Sequence, residues 1–273
     1  MADFDKFAAM ERAGWADPAR AAAYAEGFAA ASLQHVPHLV AAVHAAPGTR
    51  VLDLCCGHGI VAAALCKAGA SVTAADFSPA MLALSAVTAP AAHLVAADAA
   101  ALPFPDSHFT AVTIGLGIPH VPDPAAVLAE VHRVLAPGGR IAFTCWLGPD
   151  RSFAIRTMQE AIAAEGDPTV IMPPAPPNFA FADPAIVHPA LKAAGFRDGT
   201  MTTVESFYDA DDPALLFDYF RNGTVRLGEH LQRQPADRLP RIREAVAAAV
   251  RAHAGPAAPY RVPIPAALTT AIA

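Results

Sequence analysis

Apolar positions along this chain fall into two rhythms. Short runs such as Val51-Leu52-Asp53-Leu54 have the length of buried strands, and between them lie Ala- and Leu-rich stretches with helical spacing. The pattern predicts strands over 51–54, 71–75, 91–97, 109–114 and 140–146. Helices are predicted over 60–68, 78–87 and 123–135, the last followed by a sharp stop at Pro137-Gly138-Gly139. Strands separated by helices of this length imply a parallel sheet with right-handed crossovers. Residues 3–46 read as helical throughout, with Asp17-Pro18 as an N-cap and first-turn proline. Beyond the fifth strand the pattern predicts a helix over 151–165, an extended Pro-rich loop over 172–177 and a helix from Asp183-Pro184 to Gly195. Strand-like alternation returns at 200–208 and 260–272, and the charged stretch between them reads as a helical cap of about 211–256.

Composition narrows the class. The 54% hydrophobic fraction owes much to alanine and favours helices rather than a membrane protein. No apolar run reaches the ~18–20 residues that span a bilayer, and Asp3, Asp5 and Lys6 come too early for a secretory signal. A net charge of −6 with scattered Lys and Arg argues against a nucleic-acid substrate, since phosphate neutralisation supplies most of such affinity. The four cysteines, Cys55, Cys56, Cys66 and Cys145, lack metal-ligand spacing, so the expectation is a reduced, cytoplasmic chain without zinc. His35, His38 and His44 recur at helical spacing but have no acidic partners in sequence, and no metal site is expected there.

The densest chemistry lies at 51–62. A strand runs into Cys56-Gly57-His58-Gly59, and a helix follows, so glycines bring the backbone and the N–H groups of the helix start close to a ligand. Gly57-x-Gly59-x-x-Ala62 fits a dinucleotide fingerprint, which would make the protein an NAD-dependent oxidoreductase. Asp53 lies four positions before Gly57, where a carboxylate repels pyrophosphate and suits a cationic group. Asp76 and Asp98 fall at the ends of the next two predicted strands, the edge where open α/β sheets bind ligands. Asp76 follows Gly59 by 17 positions, close to the spacing at which an acid accepts both ribose hydroxyls. Asp98 is placed to accept from an adenine amino group.

The motif Asp53-x-x-x-Gly57-x-Gly59 resembles the first motif of class I S-adenosylmethionine-dependent methyltransferases. Ala75-Asp76-Phe77-Ser78-Pro79-Ala80-Met81-Leu82, Ala97-Asp98-Ala99 and the stretch 128–139 extend the likeness over about residues 47–147, toward the ubiquinone and menaquinone methyltransferases and related small-molecule enzymes. The resemblance implies a Rossmann-like, seven-stranded, mostly parallel sheet with an antiparallel final strand. N-terminal helices or a flap over 1–46 would precede a methyltransferase domain over 47–273 that carries the inserted cap. It further implies that Asp53, Gly57 and Gly59 hold the methionine part of S-adenosyl-L-methionine and Asp76 the ribose. Phe77 and Met81 would sandwich the adenine, and Asp98 with the Ala99 backbone would bind its amino edge. Gly115 would lie beside the sulfonium, and Tyr24 would close over the amino-acid end. Cys55 departs from the usual Gly or Ala, which suggests a tighter loop, and Thr110 from a common Asp.

A sulfonium methyl is already electrophilic, so such an enzyme chiefly aligns the reactants and excludes water. A base is needed only when the acceptor is protonated, and His120, past the fourth strand, is the candidate. His58 is expected to hydrogen-bond locally, and Glu130 with Arg133 to brace a helix face. Trp15, Phe28, Trp146, Phe153, Phe179, Phe181, Phe217 and Phe220 are available to line an acceptor pocket, two or three of them facing it. The reading is therefore methyl transfer to an O or C atom of a small apolar or aromatic molecule, by a monomer or homodimer without nucleic-acid or membrane partners. The alternatives are the oxidoreductase and a non-catalytic S-adenosylmethionine-binding protein.

Overall fold

A computed structural model describes residues 4–273; the expected helix start at Asp3 lies outside the described residues. The sheet is built from β1 (Arg50–Leu54), β2 (Ser71–Asp76), β3 (His93–Ala96), β4 (Phe109–Ile114), β5 (Leu135–Trp146), β6 (Arg197–Val204) and β9 (Ala266–Ile272). Its order is β3-β2-β1-β4-β5-β9-β6. β9 runs antiparallel to both β5 and β6, and the remaining pairings are parallel. Strand order reverses between β1 and β4, which opens a crevice at the carboxyl ends of the strands.

Helices α4 (Ile60–Lys67), α5 (Pro79–Thr88), α6 (Pro124–Val134), α7 (Phe153–Glu165) and α8 (Pro184–Ala193) connect and cover the strands. The Ser-Pro and Asp-Pro pairs start helices as their chemistry demands: Ser78 Oγ accepts from the Met81 amide and Asp123 Oδ1 from Ala126. Proline in the first turn loses no helical hydrogen bond there. Val51, Leu52, Leu54, Val112, Ile114, Ile141 and Phe143 are buried in the sheet.

Three expectations change on contact with the fold. The third strand is shorter than 91–97, so Asp98 stands two positions beyond its end, in a turn bridged to Ala101. Pro137-Gly138-Gly139 does not end an element but bulges within β5, whose register with β4 jumps from Phe109↔Leu135 to Ala111↔Arg140. The two strands expected at 200–208 and 260–272 each split. A two-stranded sheet of β7 (Phe207–Ala210) and β8 (Tyr260–Pro263) separates from the main one. Pro263 and Pro265 lack ladder donors, and Ser206 takes over, its carbonyl accepting from the Ile264 amide and its hydroxyl donating to Ile264 O.

The N-terminal helices are α1 (Asp5–Ala16), α2 (Pro18–Ser32), which Asp17 and Pro18 start as expected, and α3 (Val36–Ala42). Between β7 and β8 stand α9 (Leu215–Gly223), α10 (Arg226–Gln232) and α11 (Leu239–Ala254). Phe28 of α2, Met158 of α7 and Phe217, Leu231 and Val246 of this group share one buried cluster. The N-terminal helices and α9–α11 are thereby packed into a wall above the crevice.

Candidate functional site

The turn after β1 is held by its own backbone. Cys55, Gly57 and Gly59 all have positive φ, at 53°, 53° and 87°. A left-handed residue is ordinarily glycine, so Cys55 is an unusual occupant of this position. Cysteine fits because its neighbour has no side chain: a Cβ on Gly117 would stand 2.4 Å from Cys55 Cβ. The Gly57 amide donates to Asp76 Oδ2 and the Ser78 amide to Asp76 Oδ1, both at 2.9 Å. The Gly59 amide donates to Cys56 O. Gly59 itself lies off the cleft wall and faces Ser85, whose Oγ would be 2.5 Å from an added Cβ.

The acids at the sheet edge have distinct environments. Asp53 is buried; its Oδ1 accepts from Thr113 Oγ at 2.7 Å, while Oδ2 has no partner. Burial pushes its carboxyl up to about 7, opposed by the Thr113 hydrogen bond and the Ala62 amide. Burial also raises the Asp76 carboxyl, against the pull of the Ser78 and Gly57 amides. Asp98 is different, being largely exposed and paired with Arg12. The Ala100 amide, with help from Arg12, holds it below the usual carboxylate range.

A narrow cleft of about 90 Å³ brings together Asp53, Gly57, Asp76, Phe77, Met81, Gly115, Tyr24 and His120. A second recess, of about 100 Å³, holds Asp98 and Ala99 and shares Asp76, Phe77 and His120 with the first. Phe77 lines both the cleft and the recess, Met81 lines the cleft, and the Arg12 guanidinium lies over the Phe77 ring.

Four buried polar atoms without partners belong to residues of the first cleft: Asp53 Oδ2, His58 Nε2, Ser32 Oγ and His35 Nδ1. His58 thus does not make the local hydrogen bond expected of it; its ring meets Tyr24 edge-on instead. The Ser206 hydroxyl donates to Ile264 O and so accepts from His35 Nε2 at 2.8 Å, leaving His35 Nδ1 as an acceptor. Burial lowers the His35 imidazole to about 4, so it is neutral. Orphaned buried polar groups are costly unless a ligand satisfies them. Here two acceptors, one a carboxylate oxygen, suit an ammonium, so the residues fit the amino-acid end of S-adenosylmethionine. Neither Ser32 nor His35 carries a sequence signal for this; the fold of α2 onto the cleft selects them.

A larger cavity of about 640 Å³ adjoins the cleft, sharing Trp15, Tyr24, Leu116 and His120 with it. Trp15, Phe28, Trp146, Phe179 and Phe220 line it, more of the aromatic set than expected. Phe153 instead stacks on His253, Phe181 packs beside Phe143, and Phe217 is buried in the core. The Pro-rich loop supplies another wall through Met172, Pro176 and Pro177, and α10 adds Arg226 and His230. Glu11, absent from the sequence argument, is buried at the junction. Its Oε2 accepts from Trp15 Nε1 and contacts His120 Nδ1, each at 2.9 Å. Trp15 is four positions along the same helix, but nothing in sequence pairs Glu11 with His120, 109 positions away. Glu130 and Arg133 stand apart, where Arg133 donates to Leu102 O, Phe104 O, Glu130 and Asp106 and ties a loop to α6.

A Rossmann-like sheet whose crevice carries a glycine turn and edge carboxylates defines a nucleoside-cofactor protein. Residues 52–143 match a family described as methyltransferase domain. Demethylmenaquinone methyltransferase of Renibacterium salmoninarum is 39% identical over 130 residues, 46% of this chain and 55% of that protein. 2-Phytyl-1,4-naphtoquinone methyltransferase of Synechococcus elongatus is 44% identical over 107 residues, 36% of this chain and 46% of that protein. The chain spans about half the length of these curated relatives. The phosphoethanolamine N-methyltransferase 2 of Haemonchus contortus, solved in complex with S-adenosyl-L-methionine, superposes with a TM-score of 0.59 at 16% identity. That match covers 100% of this chain and 60% of that one, and it is a likeness of fold. Over residues 52–143 the chain is thus similar to methyltransferase domains.

Proposed function

We propose that this protein transfers the methyl group of S-adenosylmethionine to a small, largely apolar or aromatic molecule held in the 640 Å³ cavity. The observation that carries the reading is the junction of two unlike cavities at His120, Trp15, Tyr24 and Leu116. One is narrow and holds unpartnered buried acceptors; the other is wide and aromatic. When bound, the cofactor supplies an electrophilic methyl, and the chain's part is alignment and exclusion of water. Asp53 and His35 would take the ammonium, Gly57 the methionine backbone, and Asp76 the ribose through lone pairs its two amide donors leave free. Phe77, Asp98 and Ala99 would receive the base, with Met81, Gly115 and Tyr24 around the reacting end. Gly59 would act by shaping the turn. The relatives named for naphthoquinone and menaquinone precursors make aromatic acceptors the natural class to test.

An NAD-dependent reading fares worse on physical grounds. The Gly57 and Gly59 amides are already engaged by Asp76 and Cys56, and a pyrophosphate would face the Asp53 and Asp76 carboxylates. Titration calorimetry with S-adenosylmethionine, S-adenosylhomocysteine and NAD tests the assignment. Binding of the first two and not the third is expected; retention of NAD alone would overturn it.

A further inference from the structure

The junction of the cavities holds a three-part arrangement that the fold and cofactor do not require. Glu11 of α1 is 3% exposed, yet it is a carboxylate, and a buried acid needs partners. Among the described residues its Oε2 has two: the Trp15 indole N–H and His120 Nδ1. An ionised carboxylate only accepts hydrogen bonds, so His120 must carry its proton on Nδ1. An imidazole carrying that single proton has its lone pair on Nε2. Trp15 meets the imidazole edge-on, with ring centroids 5.2 Å apart, and fixes its plane. His120 is one-third exposed and lines the cleft, the recess and the large cavity alike.

We propose that Glu11 is a positioning residue that holds His120 as a general base, and that the acceptor presents a phenolic or enolic hydroxyl to His120 Nε2. The assignment rests on the methyl-transfer reading above and adds the acceptor's chemistry and the role of α1. In the transfer the hydroxyl proton passes to His120 Nε2 while an oxygen lone pair forms the new O–CH₃ bond, and the C–S electron pair returns to sulfur. Before the step the pair is neutral imidazole and carboxylate; after it, imidazolium and carboxylate, with charge conserved. A neutral imidazole is matched to an acidic hydroxyl such as a phenol rather than to an aliphatic alcohol, and the aromatic walls suit the same class. Besides Glu11, the charged or titratable groups around His120 are Asp76 at the end of β2, and Arg12, Asp98 and Asp123 around the recess. Arg226, which interacts electrostatically with Glu11, and His230 line the large cavity with it.

The test uses the full chain saturated with S-adenosylhomocysteine. Long-range ¹⁵N–¹H correlation spectra should show His120 protonated on Nδ1 and bare on Nε2, and Glu11→Met should introduce the Nε2–H form. With labelled S-adenosylmethionine and a naphthol or naphthohydroquinone as probe acceptor, the product should be the O-methyl ether. His120→Gln should lower kcat about 10²-fold, and Glu11→Gln about tenfold with KM within threefold, partly restored in Glu11→Asp. An Nε2–H tautomer in the wild type, ring methylation, no ether from either probe, or an unchanged kcat in Glu11→Gln each overturns this proposal. Failure of the wild type to bind S-adenosylhomocysteine would instead remove the methyl-transfer reading beneath it.

Discussion

Replacing Asp53 by asparagine should stabilise the cofactor-free protein near neutral pH while loosening its grip on the cofactor. Asp53 is 1% exposed, with one oxygen bonded to Thr113 and the other unpartnered. Burial pushes the carboxyl up to about 7, from ~3.9 in an unfolded chain, and each tenfold change in proton affinity is worth about 1.4 kcal/mol. The charged form therefore costs the folded state about 2–4 kcal/mol, the upper figure applying to a dry site. Below about pH 4 the carboxyl is protonated in both states and the cost vanishes. Between there and about 7 the folded chain holds the proton more tightly, so this site's contribution falls as pH rises, then levels off. Asparagine keeps an oxygen for Thr113 and carries no charge. Urea unfolding of wild type and Asp53→Asn across this range should show equal midpoints at the acid end and a higher midpoint for the variant at pH 7. Calorimetry should show S-adenosylhomocysteine, which keeps the ammonium, binding the variant about tenfold more weakly, or about 1.4 kcal/mol. A variant less stable than wild type at pH 7, or an undiminished slope with pH, would refute the assignment of an unpartnered buried charge.

Three further outcomes are expected. Asp76→Ala should weaken cofactor binding at least about tenfold, because it removes both the proposed ribose acceptor and the anchor of the Gly57 and Ser78 amides; affinity within twofold of wild type would exclude the ribose role. Gly117→Ala should lower stability by about 1–3 kcal/mol through overlap with Cys55. In the Cys55→Gly background the same change should cost much less, and a double-mutant cycle by thermal unfolding reads the difference. Arg133→Ala should destabilise by about 1–3 kcal/mol, since it releases the Leu102 and Phe104 carbonyls, while leaving S-adenosylhomocysteine affinity measured by calorimetry unchanged.

What local physics controls could be read before any coordinates. The alternation of strand and helix, the Ser78-Pro79 and Asp123-Pro124 helix starts and the glycine turn follow from propensity, capping and positive φ, all set within a few residues. Asp53, Gly57 and Asp76 come together at one cleft, as their places in the sequence pattern imply, because β1 and β2 are adjacent parallel strands whose ends share one sheet edge. The prolines at 263 and 265 lie inside the single strand expected over 260–272, and the split between β8 and β9 that they permit also needed Ser206, from 58 positions upstream. Tertiary packing decided the rest. Asp98 left the strand end for a turn and took Arg12 as partner. Ser32 and His35 turned toward the cleft, and Glu11 met His120 across 109 positions. Such pairings depend on how α1 and α2 dock on a finished sheet, and docking is a property of surfaces, which a one-dimensional pattern of apolar and polar residues does not encode.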